Sequence, residues 1–180
     1  MEITTLCYIE KDGKYLMLYR DAKKNDINEG KWISPGGHCE NGESPDDCVK
    51  REVTEETGLT LKSCKFRGIV TFYSKATCGE RDGLYSDEEK NPFSKDVTDY
   101  MCLFTSDDFE GTLIPCDEGT LEWVPKESVS GLNLWKGDLI FLKLISDPKQ
   151  PFFSLKLVYE GDELKEAVLD GDIIDPDNYI

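Results

Sequence analysis

Residues 37–59, GHCENGESPDDCVKREVTEETGL, carry the strongest pattern in the chain. Ser44 is placed to cap a helix, Pro45 suits the first helical position, and Asp47 completes the spacing of a capping box. Gly58 is a natural left-handed stop. The sequence therefore predicts a helix from about residue 45 to residue 57, entered through a glycine-rich loop.

Three glutamates of this helix, Glu52, Glu55 and Glu56, stand at i, i+3 and i+4 and share one face. Like charges at this spacing weaken a helix unless a cation binds them. Oxygen ligands suit a hard divalent ion, Mg²⁺ or Mn²⁺, which is normally shared with substrate phosphates. The pattern indicates a metal site for a polyphosphate, although glutamates in a chain this acidic also suit a solvated helix face.

Two neighbours of the glutamates are expected to support the site. Arg51 can reach Glu55 one turn further on or Glu43 at the helix start, and either contact would fix the orientation of a carboxylate. The Gly36 carbonyl is expected to supply one further oxygen to the metal.

Composition limits the classes of function. The chain has 180 residues, a 38% apolar share and a net charge of −16, which fits one soluble domain and disfavours binding to a nucleic-acid polymer. No apolar run is long enough for a bilayer span and no signal-peptide pattern opens the chain, so we expect a cytoplasmic protein that does not enter membranes. The single histidine, His38, excludes a multi-histidine metal site.

The remaining pattern predicts short strands and a second helix. Strands are expected over residues 3–9 and 15–19 as a hairpin, then over 61–66, 68–73, 100–105 and 121–124, and over 151–159 and 163–169 as a closing hairpin. A long polar loop is expected from Lys75 to Asp99, and a helix over 137–146. This order predicts one α/β (α+β) domain over residues 1–170, followed by an acidic, frayed tail over 171–180.

The whole spacing, G-x5-E-x7-R-E-(aliphatic)-x-E-E-x-G-(aliphatic), resembles the box of the Nudix hydrolase family. Its fixed positions are Gly37, Glu43, Arg51, Glu52, Val53, Glu55, Glu56, Gly58 and Leu59. The resemblance implies an α/β/α sandwich around a mixed sheet, and hydrolysis of a nucleoside diphosphate linked to another moiety with Mg²⁺ or Mn²⁺. It also implies that Glu52, Glu55 and Glu56 hold the metal, that Glu52 or a neighbouring glutamate deprotonates the attacking water, and that Arg51 pairs with Glu43.

Motifs outside the box resemble the MutT-type 8-oxo-dGTP diphosphatases. They are Trp32 before Gly36-Gly37, Asp117-Glu118, and Trp135-Lys136-Gly137-Asp138. The resemblance implies that Glu118 adds a carboxylate to the metal site, and that Trp32, Trp135 and Asp138 contact the substrate, with Asp138 at the base. The vertebrate enzymes of this group have Asn where this chain has Ile33, and Asp where it has Gly137.

Several alternatives stay open at this stage. Trp135 also suits a packing role, and Asp138 also suits a helix N-cap. Arg20 is a candidate phosphate contact, although an arginine at the end of a hairpin is usually just exposed. The expected reaction converts 8-oxo-dGTP to a nucleoside monophosphate and pyrophosphate; the alternatives are another nucleotide or nucleotide-sugar, or a non-catalytic nucleotide sensor. Both a monomer and a homodimer are compatible with the sequence.

Overall fold

The computed structural model describes residues 2–22, 27–76 and 95–179. Its helices and strands are, in chain order, β1 (Ile3–Lys11), β2 (Lys14–Tyr19), β3 (Trp32–Ile33), α1 (Pro45–Thr57), β4 (Leu59–Lys75), β5 (Val97–Gly111), β6 (Thr120–Pro125), α2 (Lys126–Val129), α3 (Lys136–Ser146), β7 (Phe153–Glu160), β8 (Glu163–Leu169) and β9 (Asp172–Ile174), followed by a 3-10 helix over Pro176–Tyr179.

The strands form one mixed sheet in the order β3-β2-β1-β5-β4-β7-β8-β9, with β6 paired to β2. At its centre β1 runs parallel to β5, β5 runs antiparallel to β4, and β4 runs parallel to β7. Parallel neighbours require crossover connections. Helix α1 lies in the connection from β1 to β5, and α3 lies in the connection from β4 to β7.

Two apolar clusters place these helices on opposite faces of the sheet. Along β1, Cys7 and Ile9 join the cluster that contains Val49 and Val53 of α1. Tyr8, between them, joins the cluster that contains Ile140 and Phe141 of α3. Because successive strand residues point to opposite faces, the sheet is covered on both sides. The predicted α/β/α sandwich is confirmed.

The predicted ends of α1 are also confirmed. The Ser44 side chain accepts a hydrogen bond from the Asp47 backbone N–H, and the Asp47 carboxylate accepts one from the Ser44 N–H. Gly58 ends the helix in the left-handed conformation at φ +74°, and its N–H donates to the Thr54 carbonyl. The glutamates are therefore carried by a helix that is fixed at both ends.

Two predictions about the boundaries of strands and loops need correction. The strands expected over residues 61–66 and 68–73 are one strand, β4, whose pairing with β5 is interrupted by register shifts. The loop expected from Lys75 to Asp99 is shorter, because β4 reaches Lys75 and β5 begins at Val97. Residues 77–94 of that loop lie outside the described residues.

The prediction of a frayed C-terminal tail is wrong. β9 pairs with β8, so the backbone of residues 172–174 has hydrogen-bonding partners. Asp177 accepts a hydrogen bond from Lys136 Nζ at 2.8 Å, and Tyr179 packs against the apolar cluster that includes α3. None of the helices in the described part of the chain has the length and apolarity that a bilayer crossing requires.

Candidate active site

A cavity of about 650 Å³ is lined by residues of α1 and of the loop before it, and by residues of the later motifs that contain Glu118 and Asp138. One group of its lining residues is polar and consists of Glu52, Glu56 and Glu118, which we call the carboxylate group, together with Arg20, Gly36 and Gly37. A second group, which we call the aromatic wall, consists of Phe72, Met101, Trp135, Asp138 and Tyr159. The cavity therefore joins a negatively charged part to a largely aromatic part.

Arg51 orients the acidic side chains of α1. Its guanidinium donates to both oxygens of Glu43 at 2.7 and 2.9 Å, to Glu52 at 2.8 Å and to Glu55 at 3.1 Å. The two contacts that the sequence left as alternatives are thus present together. Hydrogen bonds from Arg51, and then from the Glu40 backbone, lower the pKa of Glu43 to about 2.

Glu56 is the buried member of the carboxylate group, with 8% of its surface exposed. Its Oε2 accepts a hydrogen bond from the Gly36 N–H at 2.8 Å. Burial raises the pKa of Glu56 well above its ordinary value, and the neighbouring charges of Glu118 and Glu52 raise it further, against the opposing effect of the Gly36 N–H. Glu118 is itself paired with Arg20.

The two glycines before α1 lie very close to neighbouring atoms. A Cβ atom on Gly37 would lie 2.4 Å from the carboxyl carbon of Glu52, and one on Gly36 would lie 2.0 Å from the Thr5 carbonyl oxygen. Both distances are too short for real atoms. The loop approaches the β1 backbone only because Gly36 has no side chain, whereas the atoms next to Gly37 belong to the movable end of the Glu52 side chain.

The donor chemistry of the carboxylate group fits a hard divalent cation. Glu52, Glu56 and Glu118 offer only oxygen, and a bound cation would compensate the charge that burial and crowding make costly. As the side chains stand, no three acidic, histidine or cysteine side chains of the described residues form a ready-made ion site. Glu55 is 61% exposed and turns to Arg51 rather than to the cavity.

Trp135 is held in place by three contacts. Its Nε1–H donates to Asn28 Oδ1 at 2.8 Å, Lys31 Nζ lies 4.4 Å from the ring centroid, and the Tyr159 ring meets it edge-on at 5.8 Å. The indole is therefore fixed where it lines the cavity.

Asp138 lies in the first turn of α3, where Trp135 is the N-cap residue and makes no capping hydrogen bond with its side chain. The alternative that Asp138 is the cap is therefore wrong. The residue is 6% exposed and lines the cavity. Burial raises the pKa of Asp138 to about 7, against the opposing effects of the Trp135 backbone and Lys31.

The structure brings together most, but not all, of the predicted site residues. Glu52, Glu56, Glu118, Gly36, Arg20, Trp135 and Asp138 all line the cavity. Trp32 does not: it lies on β3 with its ring 5.1 Å from that of Tyr19, and it packs against the core. Tyr159, Asn28, Phe72 and Met101 also line the cavity, and sequence reasoning missed them because such residue types are ordinary in strands and turns.

Comparisons with known proteins agree with this geometry. Residues 2–145 match the NUDIX domain family model. The Nudix hydrolase YvcI of Bacillus subtilis is 30% identical over 140 residues, which are 77% of this chain and 75% of that protein. The oxidized purine nucleoside triphosphate hydrolase of Danio rerio is 25% identical over 149 residues, covering 83% of this chain and 82% of the relative. The crystal structure of a MutT protein from Bacillus halodurans superposes with a TM-score of 0.75 at 27% identity, covering 94% and 98% of the two chains.

Proposed function

Because the chain belongs to the Nudix hydrolase family, we propose that it is a metal-dependent nucleoside triphosphate pyrophosphohydrolase. The proposed substrate is an oxidised purine deoxynucleotide such as 8-oxo-dGTP, and the products are the nucleoside monophosphate and pyrophosphate. The observation that carries the proposal is the buried Glu56, which lies beside Glu52 and Glu118 in the cavity that also holds Trp135 and Asp138.

The proposed cofactor is Mg²⁺ or Mn²⁺, with Glu52, Glu56, Glu118 and the Gly36 carbonyl as its ligands and Glu55 as a further candidate. When bound, the ion would neutralise phosphoryl oxygens and lower the pKa of a coordinated water. Such an ion also counters the local effect of a net charge of −16 on an anionic substrate.

The remaining roles belong to the chain itself. Arg51 holds Glu52, Glu55 and Glu43 in one hydrogen-bonded set, so that the glutamates present their oxygens in a fixed arrangement. Glu52 or a neighbouring glutamate accepts the proton of the attacking water. Arg20 has two compatible roles: it keeps Glu118 in place, and its position in the cavity lining also suits a phosphate contact.

The aromatic wall supports a nucleotide as the substrate. Trp135 offers an aromatic surface, and Asp138 offers a buried carboxyl group to the base. The name of the Danio rerio relative supports an oxidised purine triphosphate.

A second candidate is a related activity on another nucleotide or nucleotide-sugar. The observation that favours it is the difference from the vertebrate enzymes at Ile33 and Gly137, of which Ile33 lines the cavity. A panel of NTPs, oxidised dNTPs and nucleotide sugars, assayed for pyrophosphate and phosphate, separates the two candidates. The non-catalytic sensor is disfavoured, because binding alone does not require three mutually repelling glutamates.

The catalytic assignment is tested with Glu56→Gln. We expect Mg²⁺-dependent pyrophosphate release to fall by about 10²-fold or more while the fold is kept, because the change removes a charge and retains the shape. Glu127→Gln, on the exposed surface of α2, is the matched control and should keep the wild-type rate. Near-native turnover by the Glu56 variant would refute the assignment.

A further inference from the structure

Tyr159 belongs to the aromatic wall but comes from a part of the chain that the family model does not match. The model ends at residue 145, whereas Tyr159 lies on β7. The side chain is 5% exposed, lines the cavity and packs edge-on against Trp135. A residue outside the matched segment thus contributes to the part of the cavity in which we place the base.

The Tyr159 hydroxyl contacts α3 through an acceptor site of its oxygen. Its oxygen accepts a hydrogen bond from the Gly137 N–H at 2.8 Å. Within the described ranges, no residue accepts the hydroxyl proton. A phenol has one O–H donor in addition to its acceptor sites, and the contact with Gly137 leaves that donor for a group in the cavity that Tyr159 lines. A ligand in the cavity can supply the acceptor.

The neighbourhood of Asp138 keeps this hydroxyl protonated. Burial, and then the nearby charge of Asp138, raise the pKa of Tyr159 far above its ordinary value. A phenol in this environment acts as a donor throughout the physiological pH range, beside a carboxyl group that can accept.

Tyr159 also accounts for the glycine at position 137. A Cβ atom there would lie 2.5 Å from Leu157 Cδ1 and 2.6 Å from the Tyr159 hydroxyl oxygen. An aspartate therefore cannot occupy this position without displacing β7 side chains. The space next to Asp138 is taken by the tyrosine hydroxyl instead of a second carboxylate.

We propose that Tyr159 is a specificity-determining residue whose hydroxyl donates a hydrogen bond to a carbonyl oxygen or ring nitrogen of the nucleobase, beside an N–H group that Asp138 accepts. The ligand class is a base that carries an acceptor and a donor on adjacent atoms of one edge. The inference rests on the proposed function only in that the cavity takes a nucleotide with its base against Trp135.

The test measures base selectivity by binding rather than by turnover. Calorimetric titration without metal gives the Kd of wild type, Tyr159→Phe and Tyr73→Phe for 8-oxo-dGMP, dGMP, dIMP, dAMP and the base-free 2-deoxyribose 5-phosphate. Tyr73→Phe is the matched control, since it also removes a hydroxyl, one that donates to Asp96 at 2.6 Å outside the cavity lining. Thermal unfolding of each variant reports whether loss of the hydroxyl has lowered the stability of the whole domain.

We expect Tyr159→Phe to weaken the preferred base about tenfold, equivalent to about 1.4 kcal/mol, and the least preferred base less than about twofold. Binding of the base-free sugar phosphate, and all affinities of Tyr73→Phe, should stay within about twofold of wild type. An equal loss for every base would show a purely structural role and would overturn the proposal, as would unchanged affinity ratios between the bases or a wild type without base preference. Selective binding combined with no pyrophosphate release from any triphosphate would instead refute the proposed hydrolysis and keep the role of Tyr159.

Discussion

At the scale of single residues, Asp138 shows how burial converts a surface-type side chain into a titrating group near neutral pH. The charge of Asp138 raises the pKa of Tyr159 and that of Tyr8. The charge of Lys31 lowers the pKa of Asp138. Because the folded-state pKa of about 7 lies above the ordinary 3.8, the folded protein holds this proton more tightly than the unfolded chain. The contribution of Asp138 to the free energy of unfolding therefore falls as pH rises from about 4 to about 7, and it is constant above that range.

This sign predicts that Asp138→Asn is more stable than wild type at pH 8, by an amount on the order of a few kcal/mol. The difference should shrink at pH 5, where the wild-type carboxyl group is protonated in the folded state. Urea unfolding at both pH values measures it, with Asp12→Asn in the exposed β1–β2 turn as the control. A stability difference between Asp138→Asn and wild type that is equal at pH 5 and pH 8 would show that ionisation of Asp138 does not cause it.

At the scale of secondary structure, Gly58 joins the helix that carries the glutamates to the long strand β4. It adopts φ +74°, and a Cβ atom there would lie 2.7 Å from the Thr112 carbonyl oxygen. Gly13, in the first hairpin, has the same φ of +74° but nothing within 4 Å of such a Cβ. The two glycines share the backbone requirement and differ in their surroundings.

Gly13→Ala should therefore cost only the left-handed strain, about 1 kcal/mol in the free energy of unfolding. Gly58→Ala should cost at least about 1 kcal/mol more, since backbone atoms must move to admit the methyl group. Chemical denaturation of both variants gives the two values. Equal losses would mean that the contact with Thr112 relaxes without cost.

Helix α1 and strand β4, which Gly58 joins, show which structural features can and cannot be predicted from the sequence. The capping box at Ser44 and the left-handed stop at Gly58 depend on local chemistry, so both ends of α1 could be read from residues a few positions apart. The strand boundaries depended on pairing across the sheet, and β4 extends to Lys75 because β5 and β7 supply partners along its length. Local patterns carry little information about such long-range pairing.

The residues of the site also fall into two groups, those that sequence spacing connects and those that it does not. Glu52, Glu55, Glu56 and Arg51 lie within one helix, and their spacing alone indicated shared chemistry. Tyr159 and Phe72 reach the cavity from separate strands, so no spacing in the sequence links them to Asp138 or Trp135. Trp32 was expected at the substrate because its motif lies close to the box, but its ring packs against Tyr19 and the residue does not line the cavity.

At the scale of the whole molecule, a net charge of −16 opposes compaction, and three carboxylates in one cavity add a local part to this repulsion. Any salt relieves the general repulsion by screening, whereas a bound ion relieves the local part by direct compensation. The two effects are separable, because only the second requires the carboxylate group.

We therefore expect Mg²⁺ or Mn²⁺ to raise the unfolding temperature beyond the effect of NaCl at equal ionic strength. At an ion concentration about 100 times the Kd, the linkage amounts to about 2.7 kcal/mol, or roughly 5–10 °C for a chain of this size. Glu56→Gln should unfold at or above the wild-type temperature without metal, since it removes a buried carboxylate, and should lose the ion-specific part of the shift. Glu127→Gln should keep that part, whereas equal shifts in Mg²⁺ and NaCl for wild type would show that the ions act by screening alone and that the carboxylate group holds none of them.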